Sequence, residues 1–301
     1  AKNLCILQLI FRNENMSVFP ILQKISILIL SLVFFIHCAS SSSKSGKTKA
    51  AAMMLLLSGS VPKSSAAPIV QPDGLADSVT SAPNHTGEGF KNKSLAVNGV
   101  RGEGQFAGST DVFSLAQTGA GASIVLEWQG KRILNGAGID FNVFENPFQN
   151  SDTPSLLFME PFFVEVSADN INYCGFNPLY TYSTPSQYSR NPAHWSRFAG
   201  ITPVKYNVEK NPLTGNDIFD VSKAGGDAFD LDSLSADNTY SIGCSETLKN
   251  TLKTSGFVYL RLTAASARIN PATGAYYPVD SGAYDNGPDI DGVIARYTAS
   301  R

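Results

Sequence analysis

From about residue 95 to the C-terminus, apolar residues alternate with polar ones in short runs, and most runs stop near glycine, proline or asparagine. Alternation with period two lines one face of a strand, whereas a helix needs an apolar stripe every three to four residues. Ile139, Phe141 and Val143 alternate with Asp140, Asn142 and Phe144, and Phe162, Val164 and Val166 alternate with Phe163, Glu165 and Ser167. Residues 122–128, 257–263 and 290–297 read as further strands. Gln129-Gly130 predicts a turn that folds residues 131–134 back on 122–128 as a hairpin. Helical spacing is confined to about Ser245–Lys253. The pattern predicts an all-β fold, an antiparallel β-sandwich or jelly roll over residues 80–301, with Glu165 on a solvated outer face.

Charge narrows the partners. Residues 68–301 hold 16 basic and 24 acidic side chains, a net −8, while residues 1–67 hold 7 basic and 1 acidic. Nucleic-acid binding is excluded as an expectation, because lysine and arginine must replace counterions along the phosphates. Divalent cations are the natural counter-charge. Only 16% of residues are charged, against about 25% in an average domain, which argues against a disordered chain or a coiled coil.

The first methionine is Met16, so residues 1–15 read as upstream of the natural start. Residues 16–37 then show a short region ending at Lys24 and an apolar run, Ile25–Ile36, of 12 residues. A membrane-spanning helix needs ~20. Cys38 follows His37 and leads into a Ser/Lys-rich stretch. This resembles a bacterial lipoprotein signal, which implies lipidation at Cys38 and attachment to a membrane; the alternative is a cysteine at the end of an uncleaved anchor. Residues 38–79 are expected to form a flexible tether: the Ser/Lys-rich stretch is too poor in apolar surface to fold, and Ala50–Leu57, an apolar run too short to span a membrane, would either lie on the bilayer or begin a short helix. No acidic residue lies between Cys38 and Ser60, which by analogy with spirochaete lipoproteins favours the outer membrane or cell surface.

Two cysteines remain in the folded part. Export to an oxidising compartment makes a Cys174–Cys244 disulfide one reading and two separate buried thiols the other. Their spacing does not match a zinc site.

Residues 163–173 read as a strand, a polar turn at Ala168–Asn170, and a returning strand. The segment resembles the hairpin of discoidin-like, galactose-binding-like jelly rolls, with Asn170 supplying the positive φ that such a turn needs. Residues 256–263 resemble a second strand of that fold. The stretches 111–115, 138–146, 161–169, 224–231 and 289–291 are similar to bacterial surface proteins of leptospiral lipoprotein type. The resemblance covers about residues 95–297. It implies a surface location and a host- or glycan-binding role, and supplies no catalytic mechanism.

Three acidic groups are candidate Ca²⁺ ligands: Asp280, Asp285, Asp289 and Asp291; Asp227, Asp230 and Asp232; and Asp140, Glu145 and Asn146. Ca²⁺ takes six to eight hard oxygen ligands, which such loops supply. Asp289 and Asp291, two apart, would share one face of a strand. No EF-hand spacing is present. The alternative is that these carboxylates are solvated or hold turn amides. A discoidin-like jelly roll often carries a structural Ca²⁺, which the resemblance therefore implies.

Residues 177–200 form a long connection holding Tyr180, Tyr182, Tyr188, Trp195 and Phe198 with Arg190, His194 and Arg197. Either Tyr180, Tyr182, Tyr188, Arg190, Trp195 and Arg197 present a glycan- or protein-binding surface, or the aromatics plug the end of the sandwich. Enzyme motifs are lacking: there is no Gly-x-Ser-x-Gly, no His-Glu-x-x-His and no phosphate loop. Glu145, Glu160 and Glu165 could in principle form a glycosidase pair, but nothing local selects them. The sequence is therefore read as a lipid-anchored, non-catalytic binding module for a glycan or host matrix protein, with Ca²⁺-stabilised loops. The alternatives are a polysaccharide hydrolase or lyase and a structural envelope protein without a ligand.

Overall fold

A computed structural model describes residues 71–301, apart from residues 88, 120, 150–152, 154–155, 238, 240, 242 and 282–286. Cys38, the signal-like segment and most of the tether lie outside the described residues, as does Asp285.

The fold is an all-β sandwich. A five-stranded antiparallel sheet has the order β1 (Ser78–Ser81), β3 (Ser123–Glu127), β13 (Tyr259–Ala264), β8 (Phe162–Ser167) and β9 (Cys174–Gly175). A three-stranded antiparallel sheet places β5 (Phe141–Phe144) between β12 (Asp227–Phe229) and β17 (Gly292–Ala295). Short pairs complete the edges: β2 (Phe113–Ser114) with β16 (Asp289–Ile290), β4 (Lys131–Ile133) with β18 (Thr298–Ser300), β6 (Phe148–Gln149) with β7 (Leu157–Phe158), β10 (Leu179–Tyr180) with β11 (Trp195–Ser196), and β14 (Ile269–Asn270) with β15 (Ala275–Tyr276).

The period-two pattern sorts the side chains. Ile124, Leu126, Val164, Val166, Leu260 and Leu262 of the larger sheet meet Phe141, Val143, Phe229 and Val293 of the smaller one in a single buried cluster. Phe141 stacks on Phe229 at 5.4 Å between ring centroids and meets Phe257 edge-on at 5.5 Å. Burial of this apolar surface is the dominant favourable contribution to folding.

Both outer faces are also covered, which simple alternation does not foresee. Val204, Tyr206, Val208 and Ile218 lie over Phe144 and Ile294 of the smaller sheet. Asn142 of that face donates to the carbonyls of Ile218 and Gly225, at 3.0 Å each. On the larger sheet, Trp195, Phe198, Tyr180 and Tyr277 cover Phe163. Glu165 is correspondingly not solvated. It is 1% exposed and accepts from Arg261 at 2.8 Å and Arg268 at 2.7 Å. Register places Arg261 directly opposite Glu165.

Three further expectations change. The Gln129-Gly130 turn forms, with Lys131 N–H donating to Trp128 O at 3.1 Å, but the two flanking strands do not pair with each other. β3 lies between β1 and β13, while β4 pairs with β18. The stretch 290–297 is not one strand but divides between β16 and β17. The domain also begins before residue 80. Trp128 Nε1 donates to Gly74 O at 2.7 Å, and Ala76 is fully buried in the main core.

Local signals fare well where the physics is local. Asn170 adopts φ 61°, and Asp169 accepts from the Ile171 and Asn172 amides at 2.9 Å each, so the β8–β9 turn is held by its own side chains. The helix Glu246–Ser255 is capped by Ser245, whose hydroxyl accepts from Leu248 N–H at 3.1 Å. Cys174 and Cys244 form a disulfide with Cα atoms 4.9 Å apart.

Candidate metal centre

Three chain segments converge at one end of the sandwich. β5 runs out into Glu145 and Asn146, β7 leads through Met159 and Glu160 into β8, and β16 begins at Asp289. The β6–β7 pairing sets Phe148 opposite Phe158, so its two ends, Asn146 and Glu160, are brought together. The register of β16 with β2 sets Asp289 opposite Ser114.

One carboxylate oxygen from each of Glu145, Glu160 and Asp289 lies within 4.8 Å of the others. Glu145 and Asp289 are buried and Glu160 is half-buried. Glu145 Oε1 accepts from the Asp289 amide at 3.0 Å. Asp289 accepts from the Ser114 hydroxyl, and from Asn146 Nδ2 at 3.1 Å. Asn146 Nδ2 also donates to Ser109 O at 2.7 Å. Glu145 Oε2 is buried and has no hydrogen-bond partner. Buried carboxylate oxygens seldom stay unpaired, because their desolvation is costly. Burial, and then the charges of Glu160 and Asp289, pushes the Glu145 carboxyl well above its ordinary range. A cation among the three carboxylates would relieve both the repulsion and the unpaired oxygen. This buried acidic cluster could hold a metal ion.

The cluster opens on a cavity of about 430 Å³ walled by Phe90, Pro147, Phe148, Phe158 and Met159, with Asp280 also at its edge. Asp280 is engaged: Arg190 grips it with two hydrogen bonds, of 2.6 and 3.0 Å, and lays its guanidinium over the Phe158 ring at 4.6 Å. Tyr188 donates to Met159 O and braces the same wall.

The fold therefore regroups the sequence-predicted ligands. Glu145, Asn146, Asp280 and Asp289 meet around one cavity. Asp291 does not join them. Both of its oxygens accept from the Arg101 amide, at 3.0 and 2.9 Å. Asp140 is fully buried, accepting from the Gly136 and Leu231 amides at 2.7 Å each. Asp227 accepts from the Ile201 amide and the Thr202 hydroxyl, and burial pushes its carboxyl up to about 6. Asp230 caps the turn at Asp232, and Asp232 pairs with Lys253. These carboxylates hold turns and loops together. Glu160 is the residue that sequence reasoning missed as a ligand; its only signal was its acidity, and the short β6–β7 hairpin that delivers it was not read from the sequence.

Most rings of the aromatic connection pack inward on the larger sheet, while Tyr182, Tyr188, Arg190 and His194 line a cavity of about 790 Å³. Trp195 is fully buried, Tyr180 lies 4.0 Å from it, and Tyr188 and Tyr182 pack against the same cluster. Arg190 is spent on Asp280, and Arg197 is exposed elsewhere, in a left-handed turn of φ 63°.

No protein-family model matches the chain, and no curated protein matches it.

Proposed function

We propose that this domain is a non-catalytic binding module in which Glu145, Glu160 and Asp289 hold a Ca²⁺ ion that fixes the loops around the cavity. The observation that carries this is a buried Glu145 with one unpaired oxygen, Oε2, in a cluster where Glu145, Glu160 and Asp289 each bring a carboxylate oxygen within 4.8 Å of the others. Three oxygens no more than 4.8 Å apart can all lie within about 2.8 Å of one point, so a small inward movement reaches the ~2.3–2.6 Å of a Ca²⁺–oxygen contact. The donors are hard carboxylates with no histidine or cysteine among them, which favours Ca²⁺ over zinc or copper. Lipid on Cys38 would hold the module at the outer membrane or cell surface, where it would meet a glycan or a matrix protein. That part of the reading is supported by the apolar run before Cys38 and by the resemblance to leptospiral surface lipoproteins.

Calorimetric titration of the full chain with Ca²⁺ tests the metal; one saturable site is expected, and a flat titration overturns it. Mass spectrometry of membrane-extracted protein tests the anchor, with acyl chains expected on Cys38 and an unmodified cysteine refuting it. A second reading has one observation in its favour. Glu145, with its raised pKa, could serve as a general acid beside Glu160, as in a glycan hydrolase. Polysaccharide cleavage that persists in chelator and disappears in E160Q would establish it in place of the binding module.

A further inference from the structure

We propose that the cavity beside the cluster seats a neutral polyol, a sugar ring that presents two adjacent hydroxyls to the bound cation and completes its coordination shell. This inference rests on the Ca²⁺ reading above and names the ligand class of the same site.

The first argument is coordination number. Three carboxylates giving one oxygen each leave Ca²⁺ short of its six to eight ligands. Much of the remaining carboxylate capacity is already committed. Asp289 accepts from Ser114 and Asn146, and Glu145 Oε1 accepts from the Asp289 amide. Water or a ligand entering from the cavity that Glu145, Glu160 and Asp289 line can supply the missing donors.

The second argument is charge. Three carboxylates around a divalent ion leave the centre at net −1. Asp280 adds nothing to this deficit, because Arg190 neutralises it with a bidentate pair. A phosphate or carboxylate ligand would thus enter a site that is already negative, whereas hydroxyl oxygens bring donors without charge. An organic ammonium ion would suit the carboxylates, but it would have to displace the metal.

The third argument is the wall opposite the cluster. Phe148 and Phe158 lie 5.1 Å apart between ring centroids, and Phe90, Pro147 and Met159 extend the apolar lining. A ligand filling this space needs an apolar face as well as adjacent oxygens. A pyranose ring has both: C–H groups on its face and vicinal hydroxyls at its edge. The volume of about 430 Å³ falls within the ~300–1,000 Å³ of small-molecule sites. A second space of about 790 Å³ runs along the aromatic connection, lined by Tyr182, Ser186, Tyr188, Asn191 and His194, but none of the three clustered carboxylates lines it.

The test uses the full chain with methyl α-mannopyranoside, methyl α-galactopyranoside and methyl glucuronide, read by ligand-observed NMR and calorimetry. With Ca²⁺ saturating, at least one neutral glycoside is expected to bind, chelator to abolish that binding, and the glucuronide to bind at least tenfold more weakly. F90A, which removes a wall residue outside the β6–β7 pair, should weaken glycoside binding at least tenfold while its Ca²⁺ isotherm stays unchanged, which shows that the variant is folded. A normal Ca²⁺ isotherm without glycoside binding overturns this inference alone, as does glycoside binding that survives chelation. A flat Ca²⁺ titration overturns both this inference and the reading beneath it. Tight binding of butylammonium, competed by Ca²⁺, with no glycoside binding would replace the polyol with an organic cation.

Discussion

Replacing Glu145 by glutamine keeps the shape of the side chain and an oxygen for the Asp289 amide, but removes one of three converging charges. At an effective dielectric of ~20, two full charges 4.8 Å apart repel by about 3.5 kcal/mol. Three such pairs come to about 10 kcal/mol, comparable with the ~5–15 kcal/mol that holds a whole domain together. Without a cation the three groups therefore do not all ionise, and E145Q should not lower the melting temperature in chelator. With Ca²⁺ at a hundredfold excess over Kd, the wild type gains about 2.7 kcal/mol. For a domain of ~150–250 residues each kcal/mol moves Tm by about 2–4 °C, so the expected rise is about 5–11 °C. E145Q should lose nearly all of that rise. Asp140→Asn is the control: it disturbs two turn hydrogen bonds away from the cavity and should keep the Ca²⁺ shift. Thermal unfolding followed by circular dichroism, with and without chelator, is the assay. Identical wild-type midpoints in the two conditions, or a full Ca²⁺ shift in E145Q, would refute the reasoning.

Other consequences can be measured independently. The Cys174–Cys244 bond closes a loop with a sequence separation of 70, so its removal in C174A/C244A should cost about 4 kcal/mol in urea unfolding; a loss under about 1 kcal/mol contradicts this. Trp195→Ala should destabilise the domain by about 3–5 kcal/mol, the usual cost of emptying a buried aromatic site, yet leave the Ca²⁺ isotherm intact. Glu165→Ala strips the shared partner from Arg261 and Arg268; both arginines keep some solvent contact, so about 2 kcal/mol is expected rather than the ~3–5 of a fully buried pair. Asp227 is raised in the folded state to about 6 from 3.8, so its contribution is fully present below pH 4 and is lost as pH rises through 6. Carboxyl NMR should show its midpoint near that value, and a midpoint below 4 would show that burial is not the controlling cause.

The acidic residues show how far one dimension reaches. Grouping by proximity along the chain joined Asp289 to Asp291 and Glu145 to Asp140, and in each pair the second residue serves a different part of the fold. A break in strand pairing between Ile290 and Gly292 separates Asp289 from Asp291, and the turn amides of Gly136 and Leu231 claim Asp140. Glu160 reaches Glu145 because β6 pairs with β7.

What the sequence determined alone were features set within a few residues. Side-chain direction alternates along any strand, so the inward faces of β5, β8 and β13 were legible, as were the Asn170 turn and the Ser245 cap. Whether each outer face would meet water, and which loop ends would share a cavity, depended on contacts between residues far apart in the chain. Those contacts follow from burying the whole apolar surface at once, and no local pattern encodes them. Hence Glu165 was read as solvated and is buried, and the site joins Glu145 and Glu160, at the ends of the β6–β7 hairpin, to Asp289, which the β2–β16 pairing brings from far along the chain.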